Sequence, residues 1–228
     1  SLASAIKRQQ WQPPQTEWGD YYENTNYSDG STDEKRRLVD DYLSSIDEPL
    51  NVVHDLGANT GEFSRIAARH ASLVVSQDID PVAVERNYRR LMSEPPKNVL
   101  PLLQDLYAPS PAIGWGNEER DSFRQRGRCD AILALALVHH LAISNNTPLS
   151  RIAGLFAELT QWLVIEFVPK SDSQVVRLLQ TREDVFPHYN RQGFEKAFSA
   201  YFNIVRSEAV AGSERQLYLM HSLNFESS

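Results

Sequence analysis

Apolar positions fall into two alternating periodicities from about residue 50 to the C-terminus. Short unbroken apolar runs read as strands buried on both faces, and i, i+3, i+4 spacings between them read as helices. The runs Asn51–Leu56, Ser72–Gln77, Val99–Gln104, Cys129–Leu135 and Trp162–Phe167 are five such strands. Glu62–His70, Pro81–Met92, Leu149–Leu159, Asp172–Gln180 and Phe194–Tyr201 carry the helical spacing. Two last runs, Phe202–Arg206 and Gln216–His221, are separated by Glu208–Glu214, a connection short enough for an antiparallel hairpin. This order predicts an α/β fold: a Rossmann-like, doubly wound seven-stranded sheet, parallel except for one antiparallel strand near the C-terminus. Ligands of such sheets bind outside the carboxyl ends of the strands.

The first 50 residues break the pattern and are read as a separate unit (1–50) beside the sheet domain (51–228). Residues 1–30 have neither period, yet five aromatics (Trp11, Trp18, Tyr21, Tyr22 and Tyr27) fall within 17 residues. That density predicts an arm docked on the body as a lid on the substrate side. From Ser31 or Thr32 as a cap, Leu38, Val39, Tyr42 and Leu43 give one apolar helix face.

Composition narrows the function classes. The 228 residues carry 23 Lys plus Arg against 30 Asp plus Glu, a net charge of -7, and one cysteine. The acidity opposes a protein that binds nucleic acid by bulk phosphate neutralisation. The best basic series, Arg120, Arg124, Arg126 and Arg128, is diluted by Glu118, Glu119 and Asp121 and reads as a solvated connector. Cys129 has no partner in the chain, which predicts a reducing, cytoplasmic setting. The longest apolar stretch, Ala131–Ile143, has 13 residues, too few to span a bilayer. The chain begins with Ser1 rather than methionine, which leaves room for residues upstream.

The most informative segment is the turn after the first strand, Asp55-Leu56-Gly57-Ala58-Asn59-Thr60-Gly61-Glu62. A dinucleotide fingerprint would place glycines where Asn59 and Glu62 stand. Asp55 and Glu62 oppose a pyrophosphate, so a nicotinamide oxidoreductase fits poorly. A cofactor with a cationic centre and a neutral ribose suits an acidic turn. On these residues the chain resembles the class I S-adenosylmethionine-dependent methyltransferases. Asp55, Gly57, Asn59 and Gly61 match the acidic-x-Gly-x-Gly-x-Gly motif of that family, with Asn59 in place of the middle glycine. The resemblance implies S-adenosyl-L-methionine as cofactor, with Gly57, Ala58, Asn59 and Gly61 approaching it. It further implies that Asp78 takes the ribose hydroxyls, Ile79 packs on the adenine, and Gln104, Asp105 and Leu106 surround the adenine amino group. Ala134 and Leu135 would line the methionine portion. More narrowly, the run Ala134–Asn146 with Glu166-Phe167-Val168-Pro169-Lys170 resembles a bacterial methyltransferase group bearing a nodulation-protein-related label, which fixes no substrate.

The candidate chemistry follows the fourth and fifth strands. His139 and His140 are adjacent titratable groups with ordinary pKa values near neutrality. Either could take a proton from an oxygen or nitrogen acceptor, or both could only shape the pocket. Metal ligation is not expected, since adjacent histidines diverge and no second ligand cluster has metal spacing. Glu166 is a carboxylate inside an apolar strand, so it either meets a cation such as Lys170 or faces the acceptor. Trp18, Tyr21, Tyr22, Tyr27 and Lys170 are the candidate acceptor contacts. The reading is therefore methyl transfer to an oxygen or nitrogen of a small molecule or glycan-like compound. RNA or protein methylation, and a non-catalytic cofactor-binding domain, stand as alternatives. Oligomeric state is not legible.

Overall fold

The computed structural model describes residues 2–8, 29–180 and 182–225. A helix α1 (Leu2–Arg8) comes first, followed within the described residues by α2 (Asp29–Ser44). Seven strands then follow: β1 (Leu50–Leu56), β2 (Ala71–Asp78), β3 (Val99–Leu103), β4 (Cys129–Ala134), β5 (Thr160–Phe167), β6 (Phe202–Ala209) and β7 (Gln216–Ser222). The helices between them are α3 (Glu62–Ala67), α4 (Pro81–Ser93), α5 (Phe123–Arg126), α6 (Leu149–Leu159), α7 (Ser173–Leu179) and α8 (Arg191–Phe198). The strands form one sheet in the order β3-β2-β1-β4-β5-β7-β6. All neighbours are parallel except around β7, which pairs antiparallel with both β5 and β6. The expected sheet is the observed one. No helix among the described residues is long and apolar enough to cross a membrane.

Successive residues of a strand face opposite sides, and β4 shows both sides filled. Ala131 and Leu133 join a core with Leu38, Val39 and Tyr42 of α2 and Phe63 of α3. Ile132 and Ala134 join a second core with Phe156 of α6 and Phe194 and Phe198 of α8. Helix α2 is thus a full layer of the core, and its Tyr42 hydroxyl donates to the Leu217 carbonyl of β7. It starts at Asp29, so Ser31 and Thr32 lie inside its first turn rather than capping it. Helix α8 starts three residues before Phe194, because the Asn190 side chain caps it by accepting from the Gly193 N–H. Helix α3 is shorter than expected and unwinds through turns after Ala67.

Candidate functional site

The site begins where β1 ends. Gly57, Asn59 and Gly61 all have positive φ, at 72°, 50° and 77°. This left-handed run turns the chain sharply from strand into α3. Asn tolerates that region better than most residues, which accounts for Asn59 at the middle position. The turn is held to β2 by Gly57 and Ala58 N–H groups donating to the Gln77 carbonyl, both at 2.9 Å. Gly61 is required sterically: a Cβ there would lie 2.4 Å from Asn87 Oδ1 of α4. A Cβ at Gly57 would meet Leu137 Cδ1 at 3.1 Å.

At the end of β2, Asp78 braces the same turn. Its Oδ2 accepts from the Asn59 N–H at 2.7 Å and its Oδ1 from the Asp80 N–H at 2.8 Å. Each carboxylate oxygen can accept more than one hydrogen bond, so both retain capacity for a ligand. Burial pushes the Asp78 carboxyl above the ordinary range against these two donors. Asp80 caps α4 by accepting from the Val82 N–H, with Pro81 in the first turn. After β3, the Gln104 N–H donates to the Asp78 carbonyl at 2.8 Å and Asp105 Oδ1 accepts from the Tyr107 N–H at 2.8 Å.

These strand ends share one cavity of about 300 Å³. Gly57, Ala58 and Asn59 line it from the first turn, Asp78 and Ile79 from the second, and Gln104, Asp105 and Leu106 from the third. Leu135 and His140 line it beyond β4. Three further sequence candidates sit behind the wall. Asp55 is buried against Ser64 Oγ at 2.6 Å, Gly61 packs on Asn87, and Ala134 is fully buried in the core. Burial raises the Asp55 carboxyl to about 7, opposed by its Ser64 hydrogen bond.

The histidines separate. Ala136, in a left-handed conformation with φ 51°, turns the chain out of β4. A π-helical turn (His140–Ser144) follows. His140 faces the cavity, and burial lowers its pKa to about 4. His139 is 1% exposed, lies against His140 with ring centroids 4.1 Å apart and planes tilted by 42°, and is not part of the cavity lining. Neither of its ring nitrogens has a hydrogen-bond partner among the described residues. Burial, with Coulombic repulsion from His140, Arg215 and Lys35, holds it neutral far below the ordinary histidine range.

Glu166 and Lys170 do not meet each other. Lys170 Nζ donates to both Asp184 carboxylate oxygens at 2.7 Å and to the Phe186 carbonyl, outside the cavity lining. Glu166 is fully buried, and its Oε2 lies 2.6 Å from Lys35 Nζ of α2. Arg215 approaches its Oε1 at 3.7 Å while donating to Asp172 at 2.7 Å. Burial pushes the Glu166 carboxyl up, but Lys35 and Arg215 outweigh it and hold it below the ordinary carboxylate range. Among the described residues the cation that lines the cavity is Lys35, with Phe63, Tyr107, Leu137, Ser144, Asn145 and Leu178 also on its walls. The sequence reading missed these residues. Lys35 did carry a signal, since it stands three and four residues before Leu38 and Val39 on the buried stripe. Trp18, Tyr21, Tyr22 and Tyr27 lie outside the described residues.

Comparison with known proteins fits this geometry. No protein-family profile matches the chain. Over 205 residues, 90% of this chain, it is 38% identical to nodulation protein NoeA of Rhizobium meliloti (strain 1021). It spans 42% of that relative's length. The N-methyltransferase NodS from Bradyrhizobium japonicum WM9, solved with S-adenosyl-L-homocysteine, superposes with a TM-score of 0.62 at 11% identity. That match covers 92% of this chain and 100% of NodS. The 16S rRNA methylase RmtB superposes with a TM-score of 0.53 at 16% identity, over 83% of this chain and 62% of RmtB. At such identities the likeness concerns the fold, and the fold serves different acceptors. In its sheet order and its single antiparallel strand, and by these superpositions, the chain has the same fold as these methyltransferases.

Proposed function

We propose that the chain transfers a methyl group from S-adenosylmethionine to a nitrogen or oxygen of a small-molecule or glycan-like acceptor. One observation carries the reading. The ends of β1, β2 and β3 bring a glycine turn, two carboxylates and two aliphatic side chains to one cavity, with a neutral histidine on its wall.

The residues fit the cofactor. Asp78 has acceptor capacity left for a ribose diol, and Ile79 and Leu106 offer apolar faces to a flat base. Asp105 provides an acceptor for an amino group. Backbone at Gly57 approaches the cavity because no Cβ stands there. When bound, S-adenosylmethionine supplies a methyl group activated on a sulfonium. The protein's own part is to hold the acceptor in line in a site walled by Leu135, Leu137 and Leu141. His140 is the histidine placed to accept a hydrogen bond from the acceptor's N–H or O–H, aiming its lone pair. Being neutral at pH 7, it adds no charge repelling a cationic cofactor. Residues 1–50, with Trp18, Tyr21, Tyr22 and Tyr27, are assigned to the acceptor side, and 51–228 to the cofactor-binding body. A reducing, cytoplasmic setting belongs to the same proposal.

Calorimetry with S-adenosylhomocysteine and NADH tests the cofactor, and tight NADH binding without S-adenosylhomocysteine binding would reject it. A methyl-transfer screen over metabolite, glycan, tRNA and protein fractions tests the acceptor. Transfer to tRNA alone would replace the small-molecule reading with an RNA one. The net charge of -7 argues against that outcome.

A further inference from the structure

We propose that the solvent face of helix α4 is a self-association surface, on which a second copy of this chain packs its own α4 antiparallel about a two-fold axis. The inference is independent of the methyl-transfer reading.

Apolar spacing comes first. Val82, Ala83, Asn87 and Leu91 are the buried residues of α4 and seat it on the sheet. Pro81, Val84, Tyr88 and Met92, three or four residues apart, form a second stripe on the solvent side, with Val84 half-buried. Tyr88 is 50% and Met92 65% exposed. A surface helix ordinarily keeps one apolar stripe and a polar opposite face, so a second stripe marks a second packing partner. Among the described residues nothing lies beyond it: α4 packs on β2 and β3, and β3 ends the sheet. Strand addition at that edge is a poorer route. The Gln104 N–H donates to the Asp78 carbonyl and the Val74 N–H to the Asn98 carbonyl, so the even-numbered residues of β3 turn their backbone groups to β2. Pro101 therefore lacks its N–H on the open side and blunts the edge.

Charge selects the occupant. Glu85 and Arg89, joined by an ion pair at 2.6 Å, stand on one flank of the stripe. A two-fold axis that turns two helices antiparallel sets this flank against the same flank of the copy. Centred at Tyr88, it brings the two tyrosine rings together and Met92 beside the partner's Val84. Glu85 then falls within two residues' rise, about 3 Å, of the partner's Arg89, and the reciprocal pair forms as well. The stripe and its flank are complementary to themselves, which is what an isologous dimer requires. One pair of 13-residue helices, each about 20 Å long, buries less than the ~800 Å² per side of a standard interface. The dimer is accordingly reversible, with a dissociation constant in the micromolar range.

Sedimentation equilibrium of the full chain from about 1 to about 300 μM tests this. The weight-average mass should rise from that of one 25.9 kDa chain towards twice that value. The double variant Tyr88→Glu with Met92→Glu, at exposed positions, should weaken association at least about 10-fold, because it buries carboxylates against their own copies. Its circular dichroism and Tm should match the wild type. Arg89→Glu and Glu85→Arg should each weaken association about 3- to 10-fold, since like charges then face one another. Mixing those two variants should restore it as a heterodimer with opposite flanks. A wild type that stays monomeric throughout overturns the inference and leaves the stripe to a partner of another kind. Association untouched by the double variant overturns it as well, and charge reversals that change nothing overturn the two-fold packing.

Discussion

Asp55 and the two histidines illustrate how burial sets the chemistry of single residues. The Asp55 carboxyl is raised to about 7 by burial, whereas in an unfolded chain it would titrate near ~3.9. A carboxyl whose pKa is higher in the folded state favours folding fully below the unfolded value. That contribution is lost as pH rises through about 7. Asp55→Asn does not titrate, so its stability relative to wild type should rise between pH 4 and 7, by up to about 4 kcal/mol. Urea denaturation of both proteins at pH 4.5, 6 and 8 checks this, and a difference that stays flat with pH would contradict it. The histidines separate on similar grounds. His139 has buried, unpartnered ring nitrogens, so His139→Leu should keep or raise the Tm. His140→Leu should lower kcat/KM by about 10- to 100-fold if the ring orients the acceptor. Equal losses from both variants would remove the distinction. Neither His139 nor His140 announced its side in the sequence, because only the turn at Ala136 fixes which ring faces the cavity.

Elements were legible wherever a local period or turn chemistry dictates them. Helix α6 matches its expected limits, and each expected strand is present. Limits shifted where a side-chain cap or a long-range contact decides, as with Asn190 at α8. The π-helical turn after β4 escaped the reading because its residues are as apolar as the strand before it. The turn after β1 is the element most fully written in sequence. Gly61→Ala should cost about 1–3 kcal/mol in backbone strain. It should cost more where the new Cβ displaces Asn87, which lies 2.4 Å from that position. Thermal unfolding measures it, and an unchanged Tm would show that α4 yields freely. Because Gly61 lies behind the cavity wall, the loss should appear in stability more than in contacts to cofactor.

For the whole molecule, the Lys35–Glu166 pair ties α2 to the sheet across 131 residues of sequence. Glu166→Ala leaves Lys35 without that partner and weakens the hold on Arg215. Breaking a buried pair from one side costs about 3–5 kcal/mol, so the urea midpoint should fall sharply. A midpoint unchanged by Glu166→Ala would show that the pair does not hold α2 to the sheet.

By itself the sequence determined the seven-strand α/β order, the acidic glycine turn and the carboxylate that ends β2, because these depend on period and on neighbours in the chain. Only the tertiary structure decided that Glu166 meets Lys35 rather than Lys170, that His140 and not His139 reaches the cavity, and that α2 shares in the site. Each of those outcomes joins groups far apart in sequence or turns on a side chain's direction at a strand end. Burial and Coulomb energy choose among several chemically acceptable partners there, and that choice exists only once the sheet has assembled.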